Sequence, residues 1–232
     1  MLDLSGFMNP EEAFRRASDG VGEYTEIVKT AMEGAESMHV AHMAFMAFAS
    51  RARGLHEAIL REITNENPYA AFPLLRAMAE LTTIIMYANL KPTYIATVVG
   101  IGPTKFHRKS FQAMFAALKD QAPGLKHVYR ELSEYTHMGL GSIANAMTPV
   151  DDESHYAEWT DRPCWRSAND YRVACAQTQE LAETLLESLR GYAGLHLAGP
   201  DSEPIGALLI QQALSATDLA RLRAIEEGDT SS

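Results

Sequence analysis

From Phe72 to Tyr87 the chain reads FPLLRAMAELTTIIMY, apolar nearly all round a helix except for one thin polar line. At about 100° per residue, Arg76, Glu80, Thr83 and Tyr87 fall within roughly 60° of one another. Leu74, Met78, Leu81 and Ile85 lie opposite, and Leu75, Ile84 and Met86 fill the sides. Such a helix is mostly buried, so its Arg and Glu require charged or hydrogen-bonding partners.

Helical periodicity continues on both sides. Asn9-Pro10-Glu11-Glu12 combines a cap, a proline at the first helical position and first-turn acids, and starts a helix that stops near Gly20 and Gly22. A long helical pattern covers 23–63, with Gly34 and Gly54 as bending points and an Ala- and Met-rich segment from Ala35 to Ser50 that permits close helix packing. Residues 64–68 form a turn, and the helix over 68–90 stops at Lys91-Pro92. Gly100-Ile101-Gly102-Pro103 reads as a turn, and helices follow over 104–119 and 124–138, the latter ended by Gly139 and Gly141. An irregular loop with room for a short hairpin spans 143–166, its acidic centre from Thr148 to Asp161. Ser167 and Asp170 open a helix that runs to about Tyr192, with Tyr171, Ala174, Cys175, Thr178, Leu181, Leu185 and Leu189 as its buried face. The expected fold is therefore an all-α bundle of about five to seven helices. The bundle domain covers 1–198, and 199–232 form a C-terminal extension with amphipathic helical character over 204–227 and a frayed tail.

Composition changes this picture only at the margins. The 232 residues are 47% hydrophobic, enough to bury one sizeable core. A net charge of −10 argues against a broad nucleic-acid footprint, though not against a local phosphate site. Cys164 and Cys175 fit a reducing compartment and no metal-ligand spacing contains them. No signal peptide is visible at the amino terminus, and no unbroken apolar run of about 18 residues predicts a membrane span. The expectation is a cytoplasmic protein with no membrane partner.

Chemistry-bearing residues concentrate on the 124–138 helix. Arg130, Ser133, Glu134 and His137 share one face, and Leu125, Val128, Leu132 and Tyr135 the other. The polar face serves either as a solvated surface with an Arg130–Glu134 helix pair, or as the wall of a cleft shared with Arg76 and Glu80. In that cleft, His137 moves protons near neutral pH and an Arg binds an anion.

Residues 74–87, LLRAMAELTTIIMY, and 129–139, YRELSEYTHMG, follow the patterns LLRxxxE and YxxLSxxxH. In this the chain resembles a broad group of bacterial all-helical proteins that looks related to the HEPN superfamily, many of whose members are RNase toxins or antiviral effectors. The resemblance covers roughly residues 65–145. It implies a homodimer that brings two Arg–His motifs together. It also implies metal-independent RNA cleavage, in which Arg130 stabilises phosphate charge and His137 moves protons, with Arg76, Glu80, Ser133 and Glu134 as binding residues and no cofactor.

Two further readings remain. In one, the chain is a non-catalytic interaction or dimerisation module, with Arg76–Glu80 and Arg130–Glu134 as structural pairs and 204–227 docking a protein partner. In the other, Glu36-x-x-His39 and Glu134-x-x-His137, with Glu80 between them, resemble the ligand pattern of ferritin-like di-iron bundles, the missing ligand being Glu23, Glu26 or Glu33. His39 and His42, among Met32, Met43 and Met46, read as partly buried histidines; Lys105, His107, Arg108 and Lys109 form a basic cluster; Tyr156, Trp159 and Trp165 are candidates to anchor the loop.

If 204–227 mediate association, deletion of residues 199–232 converts the dimer to a monomer in analytical ultracentrifugation. An unchanged oligomer removes that role.

Overall fold

The computed structural model describes residues 4–33, 38, 40–100, 109–137, 143, 147–149, 157–159 and 161–197. After a 3-10 turn at Ser5–Phe7 come α1 (Pro10–Ser18), α2 (Glu23–Met32), α3 (Val40–Thr64), α4 (Pro68–Leu90), α5 (Tyr94–Val98), α6 (Phe111–Ala117) and α7 (Leu125–Thr136). An antiparallel pair of short strands, β1 (Met147–Pro149) and β2 (Ala157–Trp159), precedes α8 (Ala168–His196). Apart from the five-residue α5, the described residues thus hold seven helices, an all-α bundle of the expected size.

The bundle is arranged around α4, which packs against α3, α7 and α8. Leu75, Met78, Ala79, Ile85 and Ala88 are fully buried along it. Small residues on α3, including Ala41, Ala44, Ala49 and Ala52, let α8 approach. Tyr192 of α8 fills the gap, stacked on Phe45 at 5.8 Å and donating its hydroxyl to the Ala41 carbonyl at 3.2 Å. The buried face expected for the last helix is present: Ala174, Cys175, Thr178, Leu181, Leu185 and Leu189 are buried, and Tyr171 is half-buried.

By length and hydropathy α4 could cross a membrane, although the sequence pattern predicts no span. Arg76 and Glu80 interrupt every long apolar run, yet averaging over the helix outweighs two charges. In the fold its apolar side chains are covered by α3, α7 and α8, as for the core helix of a bundle.

Four boundaries differ from the periodicity. The single helix expected over 23–63 is two, α2 and α3. Glu33 leaves helical geometry at ψ 120°, with its N–H still closing on the Lys29 carbonyl, and α2 then packs against α3. Gly54, by contrast, lies within continuous α3. The helix expected over 104–119 is described only as α6, capped by the Ser110 hydroxyl. The α8 helix extends past Tyr192 to His196 because Tyr192 and His196 themselves turn into the core.

Among the described residues three positions carry positive φ: Gly20, Glu66 and Gly100. At Gly20 (φ +84°) a Cβ would also lie 2.9 Å from Leu186 Cδ1, so only glycine fits between α1 and α2. Glu66 (φ 53°) ends α3 with the Asn67 N–H returning to the Glu62 carbonyl at 2.9 Å, a Schellman-type stop that reverses the chain into α4.

Among the described residues, three histidines lie in the core: His42, His56 and His196. His56 Nε2 is 2.6 Å from the Ala17 carbonyl, which it can only approach as a donor. Burial lowers the pKa of His56 and of His196 below 6.5. Both are neutral in the folded chain and take up protons more readily unfolded. Their contribution is therefore complete above about pH 6.5 and lost as pH falls from there toward the folded-state pKa. Urea unfolding should show a lower midpoint at pH 5 than at pH 7.5, and His196→Leu should flatten that dependence. An identical pH slope in the variant would contradict the assignment.

Candidate active site

The described site is a contact between the middle of α4 and the C-terminal end of α7. Arg76 leaves α4 on its polar line and is mostly buried, with 19% of its side chain exposed. Its Nε lies 3.2 Å from Glu80 Oε1, one turn on along the same helix. Its Nη2 donates to the Tyr129 hydroxyl at 3.0 Å, and the guanidinium sits 5.0 Å from the Tyr129 ring centroid. Its Nη1 lies 3.1 Å from His137 Nε2.

His137 lies immediately after the last residue of α7. It is the C-cap, in extended geometry (φ −93°, ψ 162°), with its backbone N–H on the Ser133 carbonyl. Because its N–H still closes on the helix, the side chain leaves α7 near its regular helical position and reaches Arg76 of α4. A guanidinium only donates, so His137 Nε2 must carry its lone pair toward Arg76, leaving the ring proton on Nδ1. The imidazole is thus held beside a fixed cation at an exposed position.

Aromatic rings brace the site on both sides. Phe111 and Phe115 lie 5.5 and 5.1 Å from the Tyr129 ring. Tyr135 stacks on Phe72 at 4.1 Å, and Trp165 meets Phe72 edge-on at 5.9 Å. Trp165 Nε1 donates to the Ile63 carbonyl, so this tryptophan anchors the chain ahead of α8. Trp159 does not share the anchoring role expected for it: it is 74% exposed, opposite Met147 in the strand pair, whose register points it to solvent. Tyr156 lies outside the described residues.

The other sequence-derived residues divide clearly. Glu80 joins Arg76 and His137 at the site. Arg130 is exposed and turns back to His127 (3.5 Å), which in turn meets Glu131 at 3.1 Å, rather than forward to Glu134. Seven residues of helical rise put Arg130 and His137 roughly 10 Å apart along the axis, and the arginine beside the imidazole is Arg76. Ser133 donates to the Tyr129 carbonyl at 2.7 Å, and Glu134 is exposed. Tyr129 was missed by the sequence argument. Its signal is a ring at the border between the apolar and polar faces of α7, where an amphipathic side chain can bury its body and offer its hydroxyl.

The di-iron arrangement needs Glu36 and His39, which lie outside the described residues, as do Lys105, His107 and Arg108 of the basic cluster; Lys109 is exposed. Among the described residues, no three His, Cys, Asp or Glu side chains gather into a metal-binding group.

The Arg76 contacts tie α4 to α7, so their loss is expected in stability. Arg76→Ala should cost about 1–3 kcal/mol and Tyr129→Phe about 0.5–1.5 kcal/mol. Urea unfolding of both single variants and the double variant should give a coupling of at least about 0.5 kcal/mol. Strict additivity would mean that the Arg76–Tyr129 contact is not made in solution.

No family model matches the sequence, and no curated protein or solved structure shows significant similarity to it. On the fold and the site together, the chain is an all-helical bundle with an Arg–His–Tyr–Glu polar centre between α4 and α7.

Proposed function

We propose that this chain is an HEPN-like helical protein that cleaves RNA without a metal, in a toxin or phage-defence role, and that Arg76 and His137 are its reacting pair. The observation that carries the reading is the 3.1 Å approach of Arg76 Nη1 to His137 Nε2 across two helices. It supplies a basic nitrogen beside a cation, the two groups that phosphodiester transfer requires.

When a substrate phosphate draws the Arg76 Nη1–H away from His137, the single Nε2 lone pair is freed to accept the proton of a ribose 2′-hydroxyl, and the 2′-oxygen attacks the adjacent phosphorus. The bond to the 5′-oxygen breaks, leaving a 2′,3′-cyclic phosphate and a 5′-hydroxyl that takes its proton from solvent or from a second protomer. Arg76 keeps one further N–H on each of Nη1 and Nη2 for the phosphate oxygens, while Glu80 and Tyr129 hold its plane. Arg130, exposed along α7, contacts a neighbouring phosphate and adds affinity rather than chemistry. The role is confined to a small site, in keeping with a chain of net charge −10.

The second reading is a non-catalytic helical module. It is favoured by one specific feature: Nη1 and Nη2 of Arg76 already face protein partners, and Glu80 lies 3.2 Å from Nε as an ion pair without a hydrogen bond to it.

Metal-free wild-type protein incubated with RNA separates the two. Cleavage is expected with wild type. His137→Ala and Arg76→Ala should lower its rate by about 10²-fold or more, and Arg130→Ala by less than about tenfold. Circular dichroism checks that each variant is folded. A folded wild type that leaves RNA intact would exclude the nuclease and leave the structural clamp.

A further inference from the structure

The Arg76–His137 contact is one end of a longer polar line. Counting about 100° per residue from Lys126, Ser133 lies near −20°, His137 near 20° and Arg130 near 40°. The four form one ridge along α7, about 16 Å from Lys126 to His137. His137 keeps to the ridge because its N–H still closes on the Ser133 carbonyl. Lys126, Arg130 and His137 are exposed. Ser133 directs its hydroxyl proton to the Tyr129 carbonyl and leaves the cations to define the ridge.

Those cations are uncommitted. Among the described residues, no carboxylate lies within ion-pair distance of Lys126 or Arg130, whereas Arg15, Arg53, Arg166 and Arg190 each hold one. Arg130 turns to His127 at 3.5 Å, and His127 in turn meets Glu131 at 3.1 Å.

The ridge has two unlike flanks. On one side Tyr129 turns to the Arg76 guanidinium and to Phe111 and Phe115 of α6, which closes that side with protein. On the other, the exposed carboxylates of Glu134 (near 80°) and Glu131 (near 140°) run beside it. One line of phosphates fits over the cations, and a second strand would be pressed against the two carboxylates. A duplex also suits the chemistry poorly, because base pairing holds the 2′-oxygen out of line with the 5′-oxygen it has to displace.

We propose that α7 is a track for single-stranded RNA, with Lys126 and Arg130 on two phosphates of one strand and Arg76 and His137 at the scissile one. The track rests on the nuclease reading for its end point and adds strandedness to it. Its contacts position the strand without reading bases, as long cationic side chains on an open helix face do.

Fluorescence anisotropy of the full chain with a labelled ten-nucleotide RNA tests the track. The RNA carries 2′-O-methyl riboses, so the attacking hydroxyl is blocked and binding is read without cleavage. Lys126→Gln and Arg130→Gln should each lower affinity at least threefold at 0.1 M salt and flatten the logarithmic salt slope by about 0.7. Arg51→Gln, at an exposed position of α3, should leave the slope unchanged. The duplex of the same sequence should bind at least tenfold more weakly. A slope that both ridge variants leave intact, or equal binding of the duplex, overturns the track; cleavage of unmodified RNA by the same wild type would then keep the nuclease without it. Binding that depends on the ridge, with unmodified RNA left intact, supports the track and removes the nuclease.

Discussion

A guanidinium on an otherwise buried helix must be satisfied, and the arrangement around α4 follows from that requirement. Leu75, Met78 and Ile85 drive α4 into the centre of the bundle, where α3, α7 and α8 cover it. Arg76 is carried inward with them. Its desolvation is offset by Glu80 from its own helix, by the Tyr129 hydroxyl and ring face, and by His137. Two of those partners come from α7, so satisfying one cation also sets how α7 lies on the core.

The same geometry gives the site its chemical character. A Coulombic partner alone would make Arg76 a structural ion pair. The imidazole beside it is different, because it places a proton-transfer group next to a fixed cation at a position open to solvent. The packing of α7 on α4 produces this placement, and the aromatic rings around Tyr129 and Tyr135 restrict how far α7 can shift from it.

The bundle presents opposite chemistries on its two α7 surfaces. Around Arg76 the available groups are donors suited to an anion. In the groove between α4, α7 and α8 the exposed charges are the carboxylates Glu180 and Glu187. Charge asymmetry of this kind arises naturally where helices of mixed polar face pack at a shallow core: each groove inherits the side chains of two helices, and their sum determines which sign of ligand it tolerates.

Periodicity alone was enough for the helical class, the buried faces of α4, α7 and α8, and the need for partners at Arg76 and Glu80, because burial is written in the spacing of apolar residues along each helix. It could not show the break between α2 and α3, since apolar spacing persists through a segment where Glu33 turns the chain. Nor could it choose between the two arginines. On a helical wheel Arg130 and His137 share a face, but a wheel carries no information about which residue of another helix packs against that face. Which arginine meets His137, the part played by Tyr129, and the pairing of Asn89 with α8 were decided by tertiary structure, because each depends on how two helices distant in sequence pack together.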